Sequence, residues 1–228
     1  MKLSHTFSRK QCMIGLLLMA LDLMVFPILL KTGNRALGSP LNLTQLNFLL
    51  FVLNFLLVLI LFWDFLRSNL KIALRSSKKL LSGAGKGFLM YYAGAFVVAW
   101  LILTIRPEYF NINDRAIDKL AEFSYPMVLI GTVLLVPTAE EVIYRGLLFS
   151  ALQHRNRILA YAVSACVFSL VHLLNYLTDT EPLLLFLNFL QYLPAGIALC
   201  WAYEQADSIF APILIHTAIN LLAMVAMR

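Results

Sequence analysis

The sequence is short of charge. Aspartate, glutamate, lysine and arginine make up 13% of its 228 residues, hydrophobic residues make up 61%, and the mean hydropathy is +0.81. A soluble domain carries more charge than this. Apolar runs of about 20 residues recur along the chain, which is the length that crosses a bilayer. Segments of alternating polar and apolar residues are also missing, which excludes a transmembrane barrel. In lipid every backbone amide must be satisfied internally, so the spans are expected to be helices. The predicted fold class is all-α, a polytopic transmembrane helix bundle.

Other absences narrow the reading. There are only three cysteines, Cys12, Cys166 and Cys200. Their number is odd, their spacings fit no metal knuckle, and each lies in an apolar segment, so they read as reduced core residues. No nucleic-acid-binding motif accompanies the net charge of +6. The basic residues instead read as loop charges that set orientation and touch lipid headgroups, so the expected partner is the bilayer and not nucleic acid. Lys2, Arg9 and Lys10 precede an apolar run from Cys12 to Leu30. That run is too long for a cleaved signal segment and no small-x-small site follows it, so it reads as a retained span. No linker, composition shift or fixed-period repeat divides residues 1–228, which predicts a single integral membrane domain.

The apolar runs predict spans at 11–31, 46–64, 87–105, 123–137, 138–153, 158–176, 183–203 and 208–227. The pieces 123–137 and 138–153 are short. They form either one long helix kinked at Pro137 or two helices broken there, giving seven or eight spans. Asn47 and Asn54 are expected to make interhelical hydrogen bonds. Arg67, Lys71, Arg75, Lys78, Lys79 and Lys86, with the three N-terminal basic residues, place nine positive charges on one side, assigned to the cytoplasm. The spacing 67, 71, 75, 78 predicts a basic stripe on a short interfacial helix, with Leu70, Ile72, Leu74 and Leu80 toward lipid. "GAGKG" (83–87) is not a nucleotide loop, because no Ser or Thr follows its lysine and no strand precedes it. The segment 106–122 fits the opposite face.

Four histidines are present. His5 and His154 lie at helix ends and read as solvated. His172 and His216 lie within apolar runs, where a buried polar group is costly and marks function by default, although either alone could be an interhelical hydrogen-bonder. Spacing connects them to "PTAEEVIYRG" (137–146). Glu141 and Arg145 are four apart and can pair on one helix face, whereas Glu140 is turned about 100° from Glu141. Pro137 suits a first helical turn, which would put both glutamates near a positive dipole end. Phe168 and His172 share a face, as do His216 and Asn220. Glu140 and His172 each lie about 16 residues, roughly 24 Å, from the turn 154–157, so they are expected at one depth, with His216 and Asn220 near them.

Two chemistries fit these residue types. A carboxylate with an imidazole can activate water, while a second histidine and an amide stabilise an oxyanion. Alternatively, Glu140, His172 and His216 could bind zinc and acidify a bound water. Ser164 and Ser169 carry no mark of a nucleophile.

"EEVIYR" (140–145), "FSLVH" (168–172) and "HTAIN" (216–220), in this order and spacing, resemble the three motifs of the CAAX-protease and bacteriocin-processing (Abi) family of intramembrane endopeptidases. The resemblance covers a catalytic core of roughly 123–225. It implies peptide-bond cleavage within the membrane at a site open to the cytosol. Substrates in the family include prenylated proteins, and its bacterial members are linked to bacteriocin maturation, self-immunity or peptide signalling. The expected partner is therefore a peptide or lipidated protein, and the expected location a bacterial cell membrane, crossed several times. By resemblance Glu140 with His172 activates water, His216 and Asn220 form the oxyanion site, and Glu141, Arg145 and Phe168 support them. The family is described both as metal-dependent and as glutamate-dependent. No HExxH helix is present, Glu141 is expected to be occupied by Arg145, and no Asp or Glu lies within a turn of His172 or His216. Metal-free hydrolysis is therefore expected, with no cofactor favoured and zinc as the alternative. A non-proteolytic immunity or scaffold protein of the same fold is the competing reading; a small transporter is disfavoured because no inverted repeat is visible.

Basic-residue counts barely separate the topologies. One kinked span over 123–153 gives eleven inside and six outside; two spans give ten and seven. The cytosolic access implied by the family favours two.

Overall fold

Each apolar run becomes a helix, and four helices begin where a side chain meets their unpaired first amides. Ser8, Asn42, Asn111 and Asn156 each accept a bond from the third helical N–H. At Ser8 and Asn42 a glutamine at that third position returns the bond, closing a capping box. The structure, a computed structural model, describes residues 3, 4 and 6–227. Lys2 and His5, read above as part of a basic start and as a solvated histidine, lie outside the described residues.

The helices are α1 (Arg9–Ala36), α2 (Leu43–Leu61), α3 (Trp63–Arg75), α4 (Ser77–Ile105), α5 (Ile112–Gln153), α6 (Arg157–Val171), α7 (Pro182–Ala206) and α8 (Phe210–Ala226). Among the described residues there is no strand. Five helices, α1, α2, α4, α5 and α7, are long and apolar enough to cross a membrane; α6 and α8 are shorter and apolar. The chain is a multi-pass integral membrane protein.

The expected break at Pro137 is absent. Residues 112–153 form one helical stretch of 42 residues that passes Pro137 unbroken. Its distortion lies at Ser124 (φ −161°, ψ 90°), two residues before Pro126, whose ring would clash with an upstream carbonyl in an unbroken helix. Pro137 instead follows a wide π turn, Gly131–Leu135, which accommodates it. Two readings fall with the break. Residues 123–153 are one span rather than two. Glu140 and Glu141 lie in mid-helix rather than at a helix N-terminus, so no dipole end favours their charge.

Helix α7 is heavily buried and packs on α4, α6 and α8. Two close approaches need glycine. A Cβ at Gly87, within "GAGKG", would lie 2.7 Å from Ile215 Cδ1 and 2.9 Å from Ala202 Cβ. That motif is thus a packing surface of α4. A Cβ at Gly196 would lie 2.7 Å from Ala165 Cα, so α6 and α7 touch almost backbone to backbone.

Helix α3 is the expected amphipathic segment. Arg67, Lys71 and Arg75 are exposed, as are Leu70 and Leu74, but Ile72 and Leu80 are half-buried and do not face lipid freely. Asn54 reaches across to Asp22 of α1 as an interhelical bond. Asn47 instead donates to Leu43 of its own helix at 2.9 Å. All three cysteines are free thiols, with Cys200 buried and Cys12 and Cys166 half-buried.

Candidate active site

The helix around the glutamates is unwound in a way that its sequence explains. In the π turn Gly131–Leu135 the Val136 N–H bonds to Gly131 O. In that register the next acceptor, Thr132 O, falls opposite Pro137, which has no N–H. Asn220 of α8 supplies the missing donor, its Nδ2 lying 2.8 Å from Thr132 O. A second π stretch, Val142–Phe149, follows the glutamates, and a third, Leu21–Val25, carries Asp22 in α1. Such turns are frequent at functional sites because they re-aim side chains.

Glu141 and Arg145 are both fully buried and form the predicted pair, Arg145 Nη1 to Glu141 Oε1 at 2.9 Å. Arg145 also reaches Gly196 O at 3.3 Å and lies 4.5 Å over the Phe168 ring. Glu141 does more than expected. The oxygen that accepts Arg145 also accepts His216 Nδ1 at 2.8 Å. A carboxylate was therefore available to hold His216, although none stands within a turn of it in sequence. This bond fixes the imidazole orientation and presents Nε2 toward Glu140, whose Oε2 is 4.0 Å away. Glu140 Oε2 has no hydrogen-bond partner among the described residues.

His172 caps the C-terminus of α6. Its Nδ1 donates to Phe168 O at 2.8 Å, leaving Nε2 as the free nitrogen. The ring stacks on Tyr192 with centroids 4.3 Å apart, and Phe168 stands between the two histidines, 4.6 Å from His172 and 5.7 Å from His216. No carboxylate lies within 4.0 Å of a His172 nitrogen among the described residues. By distance Glu140 is the neighbour of His216. Ser164 and Ser169 are spent on the carbonyls of Tyr144 and Ala165, each at 2.9 Å. His154 is exposed.

Glu140, His172, His216 and Asn220 all line one cavity of about 420 Å³. Asp22 and Asp114 line it too, and among the described residues no lysine or arginine does. Asp22 was missed in the sequence, yet it carried a signal, as the lone acidic residue in the first apolar run. Thr132, Tyr192 and Gly196 had none, because their roles depend on neighbours distant in the chain.

Zinc fits this arrangement poorly. Both histidines have a hydrogen-bonded Nδ1 and a free Nε2, as metal-ligating histidines do. However, among the described residues no three His, Cys, Asp or Glu side chains converge closely enough to hold a metal ion.

Comparison with known proteins gives the same picture as the motifs. Residues 122–222 match the family model described as Type II CAAX prenyl endopeptidase Rce1-like. All seven residues singled out by the motifs lie inside that match. The "Putative membrane peptidase YdiL" of Bacillus subtilis (strain 168) is 27% identical over 209 residues, covering 87% of this chain and 80% of that one. No solved structure matches. Residues 122–222 are thus similar to the Rce1-like CAAX endopeptidases, and they lie within a multi-pass membrane protein.

Proposed function

We propose that this chain is an intramembrane endopeptidase in which Glu140 takes a proton from water attacking a peptide carbonyl. The observation that carries this reading is the Glu140 carboxylate itself. One oxygen has no protein partner, faces a histidine nitrogen at 4.0 Å, and stands in a cavity inside the membrane domain. A carboxylate left so in a membrane protein is costly unless used.

The step balances without a covalent intermediate. Glu140 accepts one water proton as the oxygen bonds to the carbonyl carbon. His172, held through Nδ1, accepts a hydrogen bond from the same water at Nε2. His216, aimed by Glu141, and the second amide hydrogen of Asn220 donate to the oxyanion. Glu140 then returns its proton to the leaving nitrogen as the carbon–nitrogen bond breaks. The poor convergence of metal donors supports hydrolysis without a metal.

The lining chemistry narrows the substrate. With Asp22, Asp114 and Glu140 on the wall and no lysine or arginine among the described residues there, the cavity suits neutral or basic residues near the scissile bond and disfavours a terminal carboxylate beside it. A processed peptide precursor fits this better than the end of a prenylated protein. The test is incubation of purified protein with a mixed peptide library and identification of new termini by mass spectrometry. New termini with wild type that vanish with Glu140→Gln support the reading, and their persistence contradicts it.

A further inference from the structure

We propose that Asp114, with the rings of Tyr91, Tyr176 and Tyr192, is a subsite of the cavity that takes one cationic side chain of the peptide substrate, lysine or arginine, about three residues from the bond that is cut. The proposal rests on the peptidase reading and adds where the charge of the substrate must lie.

Asp114 is held in place by the first turn of α5. Asn111 caps that turn and accepts the Asp114 N–H at 3.0 Å. The cap is itself pinned to α7. Asn111 donates to Gln191 at 3.0 Å and accepts the Tyr192 hydroxyl at 3.2 Å, and Ile112 N donates to Asn188 at 2.9 Å. The bend at Ser124 sets the piece 112–123 apart from the rest of α5. Its outer face carries Arg115, Asp118, Lys119 and Glu122, all exposed, whereas Asp114 and Ile117 line the cavity. An acid in a first helical turn ordinarily serves the helix dipole from the solvent side. Asp114 is half-buried and stands on the cavity wall instead.

The chain gives that charge no counter-ion. Among the described residues Asp114 enters no ion pair, and no lysine or arginine lines the cavity. The cations nearest in sequence are engaged elsewhere. Arg115 lies 3.4 Å over the Phe110 ring, and Arg106 pairs with Glu181 at 2.8 Å. Three tyrosines stand round the carboxylate. Tyr91, Tyr176 and Tyr192 line the same cavity from three separate elements, and the Asp114 charge acts on each. Burial, with that charge nearby, raises the Tyr176 hydroxyl above its ordinary pKa, so it stays neutral. An ammonium or guanidinium among aromatic rings and one carboxylate gains from both, because the ring faces are electron-rich. A neutral side chain gains little there, and an acidic one is repelled.

The distance from the chemistry follows from Tyr192. Its ring stacks on His172 with centroids 4.3 Å apart, while its hydroxyl reaches the Asn111 oxygen that also holds Asp114 N. One side chain thus bridges His172 and the carboxylate. Asp114 lies on the order of 10 Å from His172, which an extended peptide covers in about three residues.

The test uses short alanine–leucine peptides that carry one lysine, or norleucine in its place, at each position in turn. Binding is measured by fluorescence anisotropy on purified Glu140→Gln protein, which removes cleavage from the readout. The best lysine peptide should bind about tenfold tighter than its norleucine counterpart, and Asp114→Asn added to the same protein should abolish the difference. Equal affinities, or a difference that survives Asp114→Asn, would overturn the proposal. If Asp114→Asn prevents folding, Tyr176→Leu, in the segment after α6, should cut the preference about threefold, and an unchanged preference would overturn it equally. Wild type should cut the lysine peptides about three residues from the lysine. Cleavage next to the lysine would contradict the subsite. No turnover of any peptide would count against the peptidase reading alone, because binding judges the subsite without it.

Discussion

Glu141 Oε1 accepts two hydrogen bonds at once, from Arg145 Nη1 at 2.9 Å and from His216 Nδ1 at 2.8 Å. One buried oxygen thus couples the two ends of the site. Arg145 anchors the carboxylate, and the carboxylate aims the imidazole at Glu140.

Arg145→Ala should therefore damage folding before chemistry. Removing one member of a buried pair leaves a charge without its partner, at a cost of about 3–5 kcal/mol. A steep fall in thermal stability in detergent is expected. Glu141→Gln combined with Arg145→Met should recover much of that stability while activity stays low, because His216 loses its carboxylate. An Arg145→Ala protein as stable as wild type would show that the pair does not support the fold.

The Pro137–Asn220 link is open to a double-mutant cycle. Asn220→Ala alone leaves Thr132 O without its donor. Pro137→Ala offers a backbone N–H to that carbonyl. Asn220→Ala should cost less stability in the Pro137→Ala background, with a coupling of about 0.5–3 kcal/mol. Strict additivity would mean that Asn220 does not stand in for the amide proline lacks.

Much of this site was legible in the sequence, and the reasons are local. Glu141 and Arg145 meet because a helix brings residues four apart together, and the bonds within 168–172 follow the same rule. What spacing could not show was contact between helices. Glu141 with His216, Asn220 with Thr132 and Asp22 with Asn54 each depend on how separate helices pack. The break expected at Pro137 failed for a related reason. Proline removes an amide, but a π turn and a side chain from α8 made good the loss, and neither is visible in a single-helix reading. The fold class needed only hydropathy, because lipid allows so few backbone solutions.

Asp22 gives a specificity prediction. Asp22→Asn keeps the size and the contact with Asn54 but removes a carboxylate from the cavity wall. Cleavage of peptides with a lysine or arginine near the scissile bond should fall relative to neutral peptides, by roughly tenfold for 1.4 kcal/mol of lost attraction. An unchanged ratio of kcat/KM between basic and neutral peptides would remove Asp22 from substrate recognition.

Metal dependence separates the two chemistries that the residue types allow. Protein stripped by a strong chelator, with metal content checked by mass spectrometry, should keep its activity. Loss on stripping, restored by stoichiometric zinc, would recast Glu140, His172 and His216 as ligands.

The most direct measurement is peptide hydrolysis by purified wild type and Glu140→Gln, matched for folding by thermal stability. The substitution keeps the shape of the side chain and removes its capacity to accept a proton. The account predicts turnover by wild type and none detectable with Glu140→Gln, while His216→Ala and Asn220→Ala each lose about 10²–10³-fold as oxyanion donors. Wild-type turnover by a folded Glu140→Gln protein would contradict it.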